Sequence, residues 1–522
     1  MIGGLKKTTS RLAIAAAAGL LIGGLGLSDA RAADLGGDCC ADLEERVAEL
    51  EATTVRKGNR KVSLKLSGHV NRMLLWWDDG INSDVYSVDN GESESRFRLS
   101  GGASIMPGLS AGFLIEVGAI SADSELVDQR VDGNITENGD GFLSVRKASW
   151  HIKHDALGKI TVGRDSPATD DIIGLNLAKN PIADASPEWT ENFFLVRPHG
   201  TSGCNGAACR TSLRHRFLAP DLDTRRGDIV RYDTPSIFGM VVSASWGEDD
   251  LADVAIRYKK EWNSIRLVAG IGYLWDTDET ETDLPTSAER SSTNANSTLV
   301  SQSSRLGLTS IIDCPEPGLG QATCVDERQD FEQVKGSLSM MHVPTGLYAY
   351  GAYVHQNNGV STVAGPLQAN TFTAPVTGAN APSSDMWYIQ AGIKRRLLAP
   401  SLGATTLYGE FQQFNDFGVR IDGCAVTAFD CKFDGEGDSP IADAIKNGVS
   451  EIVDSSAEIW GVGIVQDIDV AAMKLYAAYR HYDFDATVAT LFENGSGDLV
   501  SNKENLPLES FDAVAFGGRI NF

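Results

Sequence analysis

The chain has 522 residues, a formal net charge of -25 at pH 7, 54 glycines and 17 prolines. Such acidity argues against nucleic acid as a partner, because phosphate backbones bind surfaces rich in lysine and arginine. After residue 32 no apolar run approaches the roughly 20 residues that a membrane-spanning helix needs. A place in a membrane would therefore require a closed barrel of strands.

Residues 1–32 have the three parts of a secretory signal peptide. Three basic residues open the segment, residues 12–27 are all apolar or small, and Ala30-Arg31-Ala32 fits a small-x-small cleavage site. The alternative is a membrane anchor, but a run of 16 residues is short for one. The pattern predicts export from the cytoplasm and cleavage of the signal.

Residues 33–61 are predicted to be a short periplasmic segment with an α-helix. Leu43, Val47 and Leu50 follow the four-then-three spacing of a coiled coil. Two heptads are too short to be stable alone, so the pattern predicts support from an assembled oligomer. The alternative is one amphipathic helix packed on its own barrel.

Alternation of apolar and polar residues predicts sixteen antiparallel strands within residues 62–522. The predicted ranges are 62–77, 94–105, 109–121, 142–154, 158–164, 226–234, 239–246, 252–261, 264–275, 330–342, 346–356, 385–397, 403–414, 456–466, 470–482 and 510–522. Short turns alternate with long polar loops, except that 247–251 is short where a long loop is due. Segregated loop lengths are typical of bacterial outer-membrane barrels. The prediction is an all-β transmembrane barrel of sixteen antiparallel strands, preceded by the short helical segment.

The last twelve residues, FDAVAFGGRINF, are predicted to be one amphipathic strand that ends on an aromatic residue. Phe516, Ile520 and Phe522 lie on the side assigned to lipid, and Arg519 lies on the side assigned to the lumen. This ending resembles the signal that the bacterial barrel-insertion machinery reads. Phe522 is therefore predicted to act in assembly.

Six of the eight cysteines form three pairs, each pair within one long loop: Cys204 with Cys209, Cys314 with Cys324, and Cys424 with Cys431. In an exported protein these spacings predict three loop disulfides. A metal site is disfavoured because no histidine lies at ligand spacing beside them. Cys39 and Cys40 are adjacent, and both a cross-link between subunits and an unpaired or alternatively paired state stay open.

Two stretches resemble the general porins of bacterial outer membranes. GKITVGRD at 158–165 resembles the porin strand that leads into the constriction loop, and RGDIVRYDTPSIFG at 226–239 resembles the strand that follows it. The likeness is closest to alphaproteobacterial porins, which also carry a coiled-coil-like stretch such as LEERVAELE at 43–51. The likeness extends over the whole mature chain in the order of strands and loops, but the residues themselves are closely similar only at these stretches.

The resemblance implies a homotrimer of sixteen-stranded barrels in the Gram-negative outer membrane, in contact with lipid and lipopolysaccharide and inserted by the barrel-insertion machinery. It implies a water-filled channel for passive diffusion of ions and small hydrophilic solutes, without a cofactor. The third loop, 165–225, would fold inward as the constriction, and it is the longest loop of this chain.

Fixed charges at the narrow part of a pore help to set its selectivity. Lumen-facing positions on the predicted strands give the basic candidates Arg96, Arg98, Lys147, Arg231, Arg257, Arg266, Lys335, Lys394, Arg396 and Arg519. The inward loop gives the acidic candidates Asp165, Asp170, Asp171, Asp184, Glu188 and Glu191. The acidic chain favours cations at the mouths and the basic wall favours anions at the centre. The sequence as a whole favours a weak cation preference.

Other functions are less favoured. The G-x-S-x-G match at 108–112 opens a predicted strand instead of a strand–turn–helix elbow, and no P-loop, dinucleotide or H-E-x-x-H motif occurs. The prediction is that the chain is not an enzyme. A substrate-specific channel for phosphate or sugar is the main alternative, and a barrel enzyme and a surface adhesin are the others. A sugar channel would use lumen aromatics, for which the candidates are Tyr348, Tyr350, Tyr388 and Tyr408.

Overall fold

The computed structural model describes residues 62–129, 143–183, 185, 194–196, 213–247, 251–276, 331–358, 383–398, 401–417, 449–493 and 499–522. Several sequence predictions fall outside these residues. They are the signal peptide, the helical segment at 33–61, all eight cysteines, Asp184, Glu188 and Glu191.

Twenty strands make up the regular structure of the described ranges. In chain order they are β1 (Ser63–Asp78), β2 (Ser83–Asp89), β3 (Arg96–Met106), β4 (Leu109–Ala119), β5 (Leu143–His154), β6 (Gly158–Asp165), β7 (Leu195–Val196), β8 (Leu213–Arg214), β9 (Gly227–Asp233), β10 (Met240–Gly247), β11 (Ala252–Trp262), β12 (Ile265–Asp276), β13 (Phe331–His342), β14 (Leu347–Asn358), β15 (Ser384–Arg395), β16 (Thr405–Asn415), β17 (Val449–Ile468), β18 (Met473–Glu493), β19 (Leu499–Pro507) and β20 (Phe511–Asn521). The helical elements are one α-turn, α1 (His215–Leu218), and three 3-10 turns, Gly91–Ser93, Ser124–Leu126 and Asp469–Ala471. Within the same ranges no helix is long and apolar enough to cross a membrane.

Sixteen of the strands close into one antiparallel barrel, which confirms the predicted strand number and direction. The last strand, β20, pairs with β1 from Asp78↔Asp512 to His69↔Asn521, so the barrel has no free edge at this seam. The other four strands are additions to the barrel. β2 pairs with β1 from Arg72 to Asp78, and β19 pairs with β18 from Asp485 to Glu493. β7 and β8, which lie between β6 and β9 in the chain, pair with each other.

The two faces of the wall alternate in chemistry, as a barrel between lipid and water requires. On β12, Ile271, Tyr273 and Trp275 are 55%, 40% and 47% exposed on the outer face. On β20, Ala513 and Ala515 are buried inside while Ile520 and the final Phe522 are exposed outside. The predicted orientation of β20 is therefore confirmed, and the exposed face of β12 agrees with the parity that assigned Arg266 to the lumen.

Three tyrosines on the inner wall lie over glycines of the neighbouring strand. The pairs are Tyr348 with Gly392, Tyr408 with Gly463, and Tyr476 with Gly517. A Cβ atom at Gly463 would lie 2.3 Å from the Tyr408 hydroxyl oxygen, so only glycine leaves room for the ring. These glycines let large aromatic rings lie flat against the wall.

Candidate functional site

The described parts of residues 165–225, here called the inward segment, lie inside the barrel. The Leu177 amide donates a hydrogen bond to Ser339 Oγ on β13 at 3.1 Å. The Asn176 Nδ2 group donates to Gln390 Oε1 on β15 at 2.8 Å. Because the segment leaves the wall at β6, these bonds mean that it reaches across the lumen to the strands on the other side.

An apolar core fills the lumen between the inward segment and strands β13 to β20. Buried members from the segment and from the wall include Ile173, Ala178, Ile182, Phe194, Met386, Phe414, Tyr476 and Phe511. The four tyrosines proposed for a sugar site are also in this core, each 5% exposed or less. Tyr350, for example, donates its hydroxyl to the Ile173 carbonyl of the segment. The four rings therefore belong to the packed core and do not line an open aromatic path.

A buried polar network joins this part of the wall to the segment. Arg480 Nε lies 2.7 Å from Glu410 Oε1, and Tyr388 donates its hydroxyl to Glu410 Oε2 at 2.6 Å. Gln390 Nε2 donates to the Tyr388 hydroxyl oxygen at 2.7 Å, and its Oε1 accepts the bond from Asn176 described above. A chain of bonds thus links an ion pair of the wall to the inward segment.

Sequence reasoning did not single out Arg480 and Glu410, which lie on β18 and β16 with β17 between them. Gly461 of β17 is in register with both residues. A Cβ atom at Gly461 would lie 2.8 Å from Glu410 Oε1 and 3.1 Å from Arg480 Cγ. The glycine therefore lets the two side chains meet over the intervening strand. A glycine between two oppositely charged inward positions is the signal that could have found the pair.

An open part of the lumen lies on another side of the inward segment. A cavity of about 700 Å³ is bounded by β1, β3 to β6, β9, β11 and the first residues of the segment. Its charged lining residues are Lys65, Lys147, Lys159, Arg231, Arg257, Asp165, Asp170 and Asp171. Predicted wall bases and predicted loop acids therefore meet around one aqueous space.

Close contacts fix several of these charges. Lys147 Nζ lies 3.0 Å from Asp165 Oδ1. Arg231 donates to the Pro167 carbonyl at 2.9 Å, and Arg257 donates to the Asp170 carbonyl. Each contact joins a barrel side chain to the root of the inward segment, so the basic wall positions the segment as well as lining the cavity.

A second cluster of charged side chains lies on the inner wall, around the buried carboxylate of Glu116. Arg96 and Arg146 approach its Oε1 atom at 3.3 and 3.0 Å, and Arg98 bonds its Oε2 atom. Arg146 was not predicted to face inward. An irregularity in the β4–β5 register lets Arg146 face the lumen beside Lys147, whereas simple alternation predicts only Lys147 there.

Two of the predicted pore-lining residues are wrong. Lys335 points inward but is fully covered, because its Nζ donates to the Leu222 carbonyl at 2.8 Å and to Thr224 Oγ1 at 2.7 Å in the inward segment. Arg396 lies past the end of β15, where its 61% exposed side chain pairs with Asp469 in the short turn between β17 and β18.

The remaining basic candidates have local partners. Lys394 donates to the Ala178 carbonyl at 2.6 Å, Arg519 donates to Ser93 Oγ at 3.1 Å, and the half-exposed Arg266 pairs with Glu261 near the β11–β12 turn. No group of side chains in the described ranges is arranged to hold a metal ion.

A closed antiparallel barrel with an apolar outer face and a charged passage beside an inward segment defines a transmembrane channel. The family model of Gram-negative porins matches residues 30–498, and the chain belongs to this family. No curated protein sequence matches the chain.

Three solved structures have a similar architecture, and the match to this chain spans the whole length of each of them. The anion-selective porin from Comamonas acidovorans is 12% identical over 88% of this chain, with a TM-score of 0.45. The outer-membrane expressed OmpT of Vibrio cholerae is 12% identical over 90%, with a TM-score of 0.42. Salmonella typhi OmpF, in complex with daunomycin, is 13% identical over 90%, with a TM-score of 0.41. The family assignment rests on the family model.

Membership of this family makes the chain an outer-membrane channel for passive diffusion of small solutes. Proteins of this family are channels and not enzymes. The physical basis here is a charged aqueous space inside a barrel whose outer face suits lipid.

Proposed function

We propose that solutes cross the barrel through the cavity between the inward segment and the wall of β1, β3 to β6, β9 and β11, and that this is the constriction of the channel. The observation that carries the proposal is the asymmetry of the lumen. A dry apolar core lies on one side of the segment, and a charged space of about 700 Å³ lies on the other.

A bulky neutral side chain in the cavity tests this placement. Ser100 lines the cavity on β3, so Ser100→Trp should lower single-channel conductance in planar bilayers. Val70→Trp is the matched control, because Val70 is 53% exposed on the outer face. Equal conductance of both variants and the parent protein would contradict the proposed route, whereas no conductance by the parent protein would contradict a diffusion channel.

We further propose that the chain acts as a homotrimer after removal of residues 1–32. Family membership and the coiled-coil spacing at 43–50 support the oligomer, and the signal-peptide pattern supports the cleavage. Conductance steps in groups of three, and an amino terminus at Ala33 in purified outer membranes, are expected. A single repeating step and an intact Met1 would contradict the two parts separately.

A further inference from the structure

The passage carries more positive than negative charge. Five basic side chains line it against three acidic ones, a surplus of two positive charges. We propose that the channel prefers anions and that its favoured solutes are small inorganic anions and carboxylates. This inference rests on the proposed function and adds the charge class of the solute.

The ion pairs around the cavity do not cancel this surplus. Asp233, just behind the lining, is shared by two cations, with Lys159 Nζ at 3.2 Å and an Arg231 nitrogen at 2.8 Å. One carboxylate therefore serves two positive charges, and counting it still leaves a surplus of one positive charge. Lys65 makes no ion pair within the described residues and is exposed on the inner wall of β1.

The cluster around Glu116 adds to the positive field of the same wall. Three guanidinium groups surround this carboxylate, and Glu94 is the second carboxylate that pairs with one of them, Arg146. Among the ion pairs of the described residues, these three guanidinium groups approach the two carboxylates Glu94 and Glu116. Arg98 has a side chain that is 39% exposed, so part of its charge faces water.

Position in the pore decides which charges matter most. The chain as a whole carries -25, which favours cations at its mouths. Salt screens exposed charges over about 10 Å at 0.1 M and about 3 Å at 1 M, whereas charges at a narrow wall act on an ion at short range. The wall charges should therefore set the sign of selectivity, in contrast to the weak cation preference inferred from sequence.

The test is the reversal potential of the purified full-length protein in planar bilayers under a tenfold gradient of KCl. The expected sign is that of chloride preference, both at low salt and with 1 M KCl on the concentrated side. The double variant Lys65→Gln/Lys159→Gln should lower the chloride-to-potassium permeability ratio roughly twofold, because two wall charges within several ångströms of the path are removed. Its fold should persist, since Asp233 keeps Arg231 as a partner.

Arg396→Gln is the matched control, because it removes one positive charge beside the short β17–β18 turn and outside the cavity lining. The permeability ratio of this variant should stay close to that of the parent protein. Potassium preference of a conducting parent protein would overturn the anion inference and leave the channel function intact. An unchanged ratio in a folded, conducting double variant would also overturn it, whereas a folded protein without conductance would contradict the proposed function itself.

Discussion

Arg480 and Glu410 form an ion pair that is closed to solvent, with side chains that are 1% and 2% exposed and a separation of 2.7 Å between Nε and Oε1. Charges removed from water in this way need a close partner, because desolvation costs several kcal/mol for each ion. Loss of either member alone would therefore leave a buried charge without its partner and destabilise the barrel.

Replacing one member tests this dependence. Arg480→Met should destabilise the folded barrel by about 3–5 kcal/mol, because Glu410 is left as an uncompensated buried charge. The measurement is urea unfolding in detergent micelles. The double variant Arg480→Met/Glu410→Gln should recover much of the loss. Unfolding of Arg480→Met at the same urea concentration as the parent protein would contradict the prediction.

The tyrosine–glycine pairs make a second prediction. Gly463→Ala should destabilise the barrel by about 1–3 kcal/mol, because the new methyl group would overlap the Tyr408 ring. Gly409→Ala on β16 is the control, since the nearest atom to its Cβ would be the Gly461 carbonyl oxygen at 3.8 Å. Equal thermal stability of the two variants would contradict this prediction, because the Tyr408 ring would then move aside with no loss of free energy of unfolding.

His215 predicts a response to acid. Its ring lies 4.7 Å from the rings of Phe484 and Phe511, and burial lowers the pKa of His215 from 6.5 to about 3. His215 is therefore neutral while it is docked, that is, packed against Phe484 and Phe511. When it leaves this site, its imidazole takes up a proton below about pH 6.5. Docking should keep its full free energy above pH 6.5 and lose it as the pH falls towards 3.

Current recordings at pH 7 and pH 4 measure this effect. The parent channel should be noisier at pH 4, because undocking of α1 disturbs the inward segment. His215→Leu keeps an apolar side chain among the aromatic rings but cannot titrate, so its noise should change much less. A similar acid-induced rise in noise for both proteins would assign the effect to other groups.

The carboxy-terminal residue predicts an assembly defect. Phe522 exchanges two backbone hydrogen bonds with Gly68, at 2.9 and 3.0 Å, and its ring is exposed on the outer face. Deletion of Phe522 should lower the fraction of folded, heat-modifiable protein severalfold by removing the end of the β1–β20 seam. Molecules that do insert should conduct normally, so normal insertion with altered conductance would refute this role.

The sequence allowed the barrel to be predicted because alternation, turn chemistry and loop length all repeat along the chain. The orientation of β12 and β20 followed from parity alone, since lipid and lumen select opposite residue types at every second position. Parity also predicted that Lys147, Arg231 and Arg257 face the lumen, and all three line the cavity.

Parity failed where the surroundings of a side chain depend on distant parts of the chain. Lys335 has the predicted direction, but the inward segment covers it, and a cover contributed by residues more than 100 positions away leaves no local signal. Arg146 depends on an irregular register, and the partnership of Arg480 with Glu410 depends on the glycine between them. Such features arise from packing between elements, which the pattern of one strand does not contain.

The uneven lumen separates two demands that evolution can adjust independently. The apolar core on one side of the inward segment holds it in place, and the proposed solute path runs along the other side. On the proposed route, exchanges at a few water-facing positions, such as Lys65 or Ser100, would change which small solutes pass. The apolar core that holds the segment is untouched by such exchanges, because neither Lys65 nor Ser100 belongs to it.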